Sequence, residues 1–123
     1  MRSYTDLEQS KRLAEFLPIE SADMGWNVFV DGTTRILPID DWDLVKDGSG
    51  NVKFHPAWSL AALLSVLPFP ALYMEMLGGM ILWCCECHLM EIDEVVTIEH
   101  YNSPIDACYK MILKLNEQKL LQL

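Results

Sequence analysis

The stretch Ala71-Leu72-Tyr73-Met74-Glu75-Met76-Leu77-Gly78-Gly79-Met80-Ile81-Leu82-Trp83-Cys84-Cys85 decides the fold. Its first half is ambiguous. Met, Leu, Ala and Glu favour helix, yet Leu72, Met74 and Met76 alternate with Tyr73 and Glu75 as in a strand. Reading Gly78-Gly79 as a two-residue hairpin turn resolves it. Met76 then faces Ile81, Met74 faces Trp83 and Leu72 faces Cys85, three apolar pairs on one side of a sheet. Glu75 faces Leu82 and Tyr73 faces Cys84 on the other side. Strand side chains alternate with a period of two, so a one-residue slip would invert the whole arrangement. The stretch reads as two antiparallel strands, over 71–77 and 80–89.

Working outward, residues 94–101 supply a third strand. With Val96 and Ile98 on the core side, Leu89 is expected opposite Val96 and Cys87 opposite Ile98, which puts the turn at Ile92-Asp93. The outer side then sets Cys84 opposite Tyr101 and Glu86 opposite Glu99, a like-charge pair that destabilises a sheet. Ser103 caps a final helix over 103–120, with Pro104 in its first turn and Asp106 three residues after the cap. Ile105, Cys108, Met111, Ile112 and Leu115 form its apolar stripe.

Upstream, Pro56 and Pro68 bracket a helix over 56–66. Ala57, Leu60 and Leu64 make one apolar stripe, and Trp58, Ala62 and Val66 make a second. A helix apolar on two sides needs two covers. The second stripe must meet the N-terminal hairpin or another subunit, so Trp58, Ala62 and Val66 are the candidate interface of a homodimer. At the N-terminus, Thr5 and Glu8 form a capping box for a helix over 5–16, which Pro18 ends. Residues 26–30 and 33–37 read as strands joined by a two-residue type I′ turn at Asp31-Gly32.

Residues 39–55 carry the weakest signal. Asp40, Asp41 and Asp43 precede the turn-rich Asp47-Gly48-Ser49-Gly50-Asn51. Their spacing lacks the Asp-x-Asp-x-Asp-Gly run and closing glutamate of an EF-hand, so this is a solvated loop. The expected architecture is a single α+β domain over 1–123. An antiparallel sheet, made of a three-stranded meander plus an N-terminal hairpin, is covered on one face by about three helices.

Composition narrows the function classes. Half of the 123 residues are apolar, which excludes a disordered chain. Eighteen acids against nine bases give a net charge of −9, which argues against direct contact with nucleic-acid phosphates and favours a basic partner. The longest nearly apolar run, residues 57–67, carries two serines and is too short to span a bilayer. Residues 1–6 are polar and lead straight into a helix, so no secretory signal is expected and the four cysteines read as free thiols of a cytoplasmic protein.

Cys84-Cys85-Glu86-Cys87-His88 invites a metal reading. On a strand, however, its members point alternately to opposite faces, so neighbouring ligands cannot close one tetrahedral site. A rival set on the core side joins Cys85, Cys87, His100 and Cys108. Buried cysteines serve equally well as small hydrophobes, so this set is rejected and no metal or cofactor is expected. Cys84 and His88 lie about 13 Å apart along one strand face at ~3.3 Å per residue, too far for a nucleophile and its base. No phosphate loop, nucleophile elbow or dinucleotide fingerprint occurs. The remaining candidate surface is the outer sheet face, with Tyr73, Glu75, Glu86, His88, Glu99 and Tyr101 as its binding residues.

Residues 7–13 (Leu-Glu-Gln-Ser-Lys-Arg-Leu), residues 103–112 (Ser-Pro-Ile-Asp-Ala-Cys-Tyr-Lys-Met-Ile) and Pro56-Ala57-Trp58-Ser59-Leu60 with Leu63-Leu64 together resemble the motifs of a family of short bacterial proteins. That family is found in prophage and mobile-element regions of anaerobic gut bacteria. The resemblance implies a bacterial cytoplasmic origin and brings no activity, cofactor or catalytic residue. The expected function is therefore that of a small acidic, non-enzymatic interaction or accessory protein. The alternative is a small-ligand or metal-binding protein, or an enzyme, that uses the outer sheet face or the Cys/His cluster.

Overall fold

The computed structural model describes residues 2–38 and 52–121. Its elements are α1 (Leu7–Ala14), a 3-10 turn (Ile19–Ser21), β1 (Met24–Phe29), β2 (Thr34–Pro38), β3 (Val52–Ala57), α2 (Leu60–Val66), β4 (Pro70–Leu77), β5 (Met80–Leu89), β6 (Glu94–Tyr101) and α3 (Pro104–Glu117). The fold is α+β. Its described residues form two antiparallel three-stranded sheets, ordered β2-β1-β3 and β4-β5-β6. The Asp/Gly-rich segment read as a loop over 47–51 lies outside the described residues.

The N-terminal hairpin does not stand alone, because β3 adds to it antiparallel along β1. Pro56, expected to open a helix, is instead a residue of β3 and pairs with Gly25. As β3 is an edge strand, a residue without an N–H is tolerated there. The helix starts four residues later, where Ser59 Oγ accepts from the Ala62 N–H at 3.2 Å. Gly25 suits this pairing, since a Cβ would meet the ring of Phe54 and force it to shift. The β1–β2 connection is also longer than two residues. Phe29 donates to the Thr33 carbonyl at 2.9 Å across Val30-Asp31-Gly32, with Gly32 at φ +88°. This is a three-residue loop whose last member needs positive φ.

The cap of α1 falls one residue later than expected. Asp6 accepts from the Gln9 N–H at 2.7 Å, while Gln9 Oε1 accepts from the Asp6 N–H at 3.1 Å. Thr5 has a different task. Its buried hydroxyl accepts from the Trp58 N–H at 3.1 Å and lies 2.8 Å from Ser10 Oγ, which donates to the Asp6 carbonyl at 2.6 Å. The chain of bonds ties α1 to the segment entering α2. Every buried group in it has a partner.

In the second sheet, β4 and β5 pair in the expected register, with Leu72 opposite Cys85, Met74 opposite Trp83 and Met76 opposite Ile81. Gly78 (φ +55°) and Gly79 (φ +81°) make the primed turn. The β5–β6 register differs by two residues. Val96 faces Cys87, Ile98 faces Cys85 and Glu86 faces Thr97. The strand pairing closes at Leu89 and Glu94, so the turn spans Met90–Asp93 rather than Ile92-Asp93 alone. Glu86 and Glu99 are therefore not a cross-strand pair.

The core joins Leu13, Trp58, Leu63, Ile105, Met111, Ile112 and Leu115 to the inner side of the second sheet at Cys85 and Cys87. α3 packs on β5, β6 and α2, and Gln9 Nε2 donates to Asp106 Oδ1 at 2.8 Å to link its first turn to α1. The second stripe of α2 is covered by its own chain. Trp58 is fully buried, its Nε1–H donates to Ser21 Oγ at 3.0 Å, and Ala62 is buried beside it, with Val66 packed against the same cluster. Trp58 and Ala62 are thus buried within their own chain, and Val66 is half-buried at the edge of the same cluster.

Candidate functional site

The outer face of β4-β5-β6 is built by alternation. Tyr73 and Glu75 on β4 lie opposite Cys84 and Leu82 on β5, and Glu86 and His88 continue the same face opposite Thr97 and Val95. Among the described residues of this sheet, the regular pattern breaks at one place. Trp83 pairs with Tyr101 and Cys85 with Ile98, so Glu99 and His100 together face the single residue Cys84. This is a β-bulge, and His100 sits in it at φ +69°. Bulges bend a strand and re-aim side chains.

The bulge rearranges the expected site. Tyr101, read as an outer-face residue, packs against the core cluster. His100, read as a core-side partner of Cys85, is sent to the outer face, where its Nε2 lies 3.0 Å from Glu75 Oε2. The rejected set Cys85, Cys87, His100 and Cys108 is thereby divided. His88 is drawn to the far end of the face by Asp93, 3.1 Å away. Glu86 and Glu99 remain on or beside the face, and Tyr73 stands across from Cys84.

Cys85, Cys87 and Cys108 are all fully buried and unpaired by disulfides. The sulfur of Cys85 accepts hydrogen bonds from the other two thiols. That bonding, and then burial, pushes Cys87 and Cys108 above the ordinary thiol range. Cys87 and Cys108 keep their protons, whereas the two hydrogen bonds they donate pull the Cys85 thiol down to about 4, well below the ordinary range, and the three pack as core filling.

A different trio forms on the outer face. The carboxylate of Glu75, the thiol of Cys84 and the ring of His100, one from each strand, bring their ligand atoms within 4.8 Å of one another. Cys84 is fully buried although it points away from the main core. The region is electronegative. The Tyr73 phenol is raised above its usual value, first by loss of solvent and then by Cys84, Glu86, Glu75 and Glu99. Sequence reasoning missed the trio because a bulge leaves almost no mark in the residue pattern. The one available signal was the histidine, which tolerates positive φ better than most residues.

A third feature lies at the end of the β4–β5 hairpin. Beyond the Trp83–Tyr101 pair, β5 has no β6 partner, so residues 75–82 form a two-stranded ribbon with Met74 at its base. Met74, Met76 and Ile81 occupy one of its faces, and Leu77 and Met80 the other. Their exposures are 57%, 72%, 56%, 44% and 57% respectively. A cleft of about 230 Å³ between Phe69, Met90, Ile92 and Leu120 is smaller than ordinary ligand pockets, roughly 300–1,000 Å³. A hollow of about 490 Å³ beside α2 is open, and two of its four polar members, Ser21 and Asp23, already bond Trp58 and Ser59. Among the described residues, no helix is long and apolar enough to cross a membrane. Comparison with known protein families, curated proteins and solved structures gives no match.

Proposed function

We propose that the protein is a small non-enzymatic interaction module that docks through the tip of its β4–β5 hairpin. The observation that carries this reading is the group of five large apolar side chains left in water on both faces of a protruding ribbon. Contiguous apolar surface of this kind marks interaction sites. Methionine, which supplies three of the five, adapts its shape to a partner. The ribbon also offers unpaired strand edges for main-chain pairing. Charge selects the partner. Residues 70–101 contain Glu75, Glu86, Glu91, Asp93, Glu94 and Glu99 and neither Lys nor Arg. Glu75 borders the tip and the other acids lie along the sheet behind it and at its opposite end, so the fitting partner joins an apolar groove to a basic surface that runs along the sheet. An accessory role in a bacterial mobile element accords with the motif resemblance at the first and last helices.

The test compares the wild-type chain with M76E/I81E as immobilised bait. Both positions are more than half exposed, so the double variant keeps its fold, as circular dichroism should verify. A specific partner should be retained by the wild type, released by raised salt and lost by the double variant. Identical capture by both baits refutes docking through the hairpin. Light scattering of the free chain identifies a second copy as the occupant if the mass doubles and M76E/I81E halves it.

A further inference from the structure

We propose that Glu75, Cys84 and His100 form a binding site for a borderline-soft transition-metal dication, with zinc as the reference ion. The site lies where β4, β5 and β6 meet at the bulge, some residues away from the hairpin tip and independent of it. Three observations converge. First, the ligand atoms already lie within 4.8 Å of one another. Ligands of a tetrahedral zinc, at bond lengths of ~2.0–2.3 Å, stand about 3.4–3.7 Å apart, so small side-chain rotations close the shell. Glu75 Oε2 and His100 Nε2, 3.0 Å apart, need only separate slightly to admit the ion.

Second, His100 is held at φ +69° in the bulge that delivers its ring to this face. A non-glycine residue in that region is disfavoured, and such conformations gather at functional sites. Without the bulge, His100 would face the core, away from Glu75. Third, the thiol of Cys84 is fully buried beneath an acidic face, apart from the main cluster that shelters the other three cysteines.

The donor set has the right chemistry. A thiolate and an imidazole select zinc, cobalt or copper over magnesium and calcium. One thiolate and one carboxylate neutralise the charge of a divalent ion, which suits a partly dry site. Binding sends the Cys84 proton to solvent, so affinity falls as pH is lowered. Three protein ligands leave the fourth position to water.

The experiment uses the full chain, stripped with chelator and titrated with zinc against a chromophoric competitor, then with cobalt. One zinc per chain is expected, together with a cobalt spectrum whose charge-transfer intensity corresponds to one thiolate. C84S, E75Q and H100N should each weaken zinc binding at least tenfold, whereas C108S should not. Asparagine is chosen at 100 because it also accepts positive φ. No stoichiometric zinc overturns the proposal. So does zinc lost in C108S but kept in C84S, or a cobalt spectrum with the intensity of three thiolates, since both assign the ion to the core cysteines. Where a variant fails to fold by circular dichroism, the thiolate count of the unmodified chain decides.

Discussion

Replacing Trp58 with alanine separates a core residue from an interface residue. The indole is fully buried, and its Nε1–H donates to Ser21 Oγ at 3.0 Å. Truncating a buried Trp to Ala costs about 3–5 kcal/mol, through lost apolar contact and the cavity left behind. Ser21 still donates to the Pro18 carbonyl at 2.6 Å, so losing the indole leaves its hydroxyl bonded and adds little. Domains of this kind are stable by roughly 5–15 kcal/mol in all, so the variant forfeits about a fifth or more of its margin. For a chain of this length, each kcal/mol lowers the melting temperature by about 3–6 °C, which gives a drop on the order of 10–30 °C. Urea denaturation at two protein concentrations, tenfold apart, is the assay. Wild type and Trp58→Ala should each show a midpoint independent of concentration, because Trp58 is covered by its own chain. A loss under about 1 kcal/mol would refute the burial argument. A midpoint that rises with concentration would show that a second subunit contributes to the cover.

Three further outcomes follow from specific contacts. Gly25→Ala forces a methyl group against the Phe54 ring and should destabilise by about 1–3 kcal/mol in the same denaturation assay. Glu99→Gln should change stability by less than about 0.5 kcal/mol near neutral pH, because Glu86 faces Thr97 and no cross-strand carboxylate pair is relieved. A clear stabilisation would restore the Glu86–Glu99 register. The His55 imidazole is shifted below its ordinary value of 6.5, first by partial burial and then by Lys11 and Lys53. The unfolded chain therefore binds this proton more readily, so the contribution of His55 is full above pH 6.5 and is lost as pH falls through the depressed folded value. His55→Gln should flatten the stability–pH profile in that window, and an unchanged profile would refute the assignment.

Much of the fold was legible because its signals are local or strictly periodic. The Gly78-Gly79 turn and the alternation around it fix the β4–β5 pairing through every residue, since any odd shift would place Glu75 among the core side chains. Ser103-Pro104 and the stripe from Ile105 to Leu115 likewise define α3. The helix assigned from Pro56 failed for a reason of context. Proline suits a first helical turn and an outward-facing edge strand equally, and only the pairing of Val52–Ala57 with β1 distinguishes them. Thr5 failed similarly, since Thr5 and Asp6 are both good caps and the choice rests on Trp58, which needs the Thr5 hydroxyl.

The candidate site depended on two departures from regular pairing with opposite consequences. Extending the β5–β6 turn to Met90–Asp93 moves the register by two residues. Because side chains alternate every two, Val96 and Ile98 keep the core face assigned to them, and the error is invisible in which residues are buried. The bulge inserts one residue, and one residue inverts the alternation for all that follows. Tyr101 therefore turns inward to Trp83, and His100 turns outward to Glu75 and Cys84. A hydrophobic pattern reports parity reliably only while the ladder is unbroken. With two residues left before the sheet ends at Tyr101, too little pattern remained to betray the change. The one cluster of mixed metal-ligand type among the described residues stands at that point, where a single extra residue carried a histidine across the sheet.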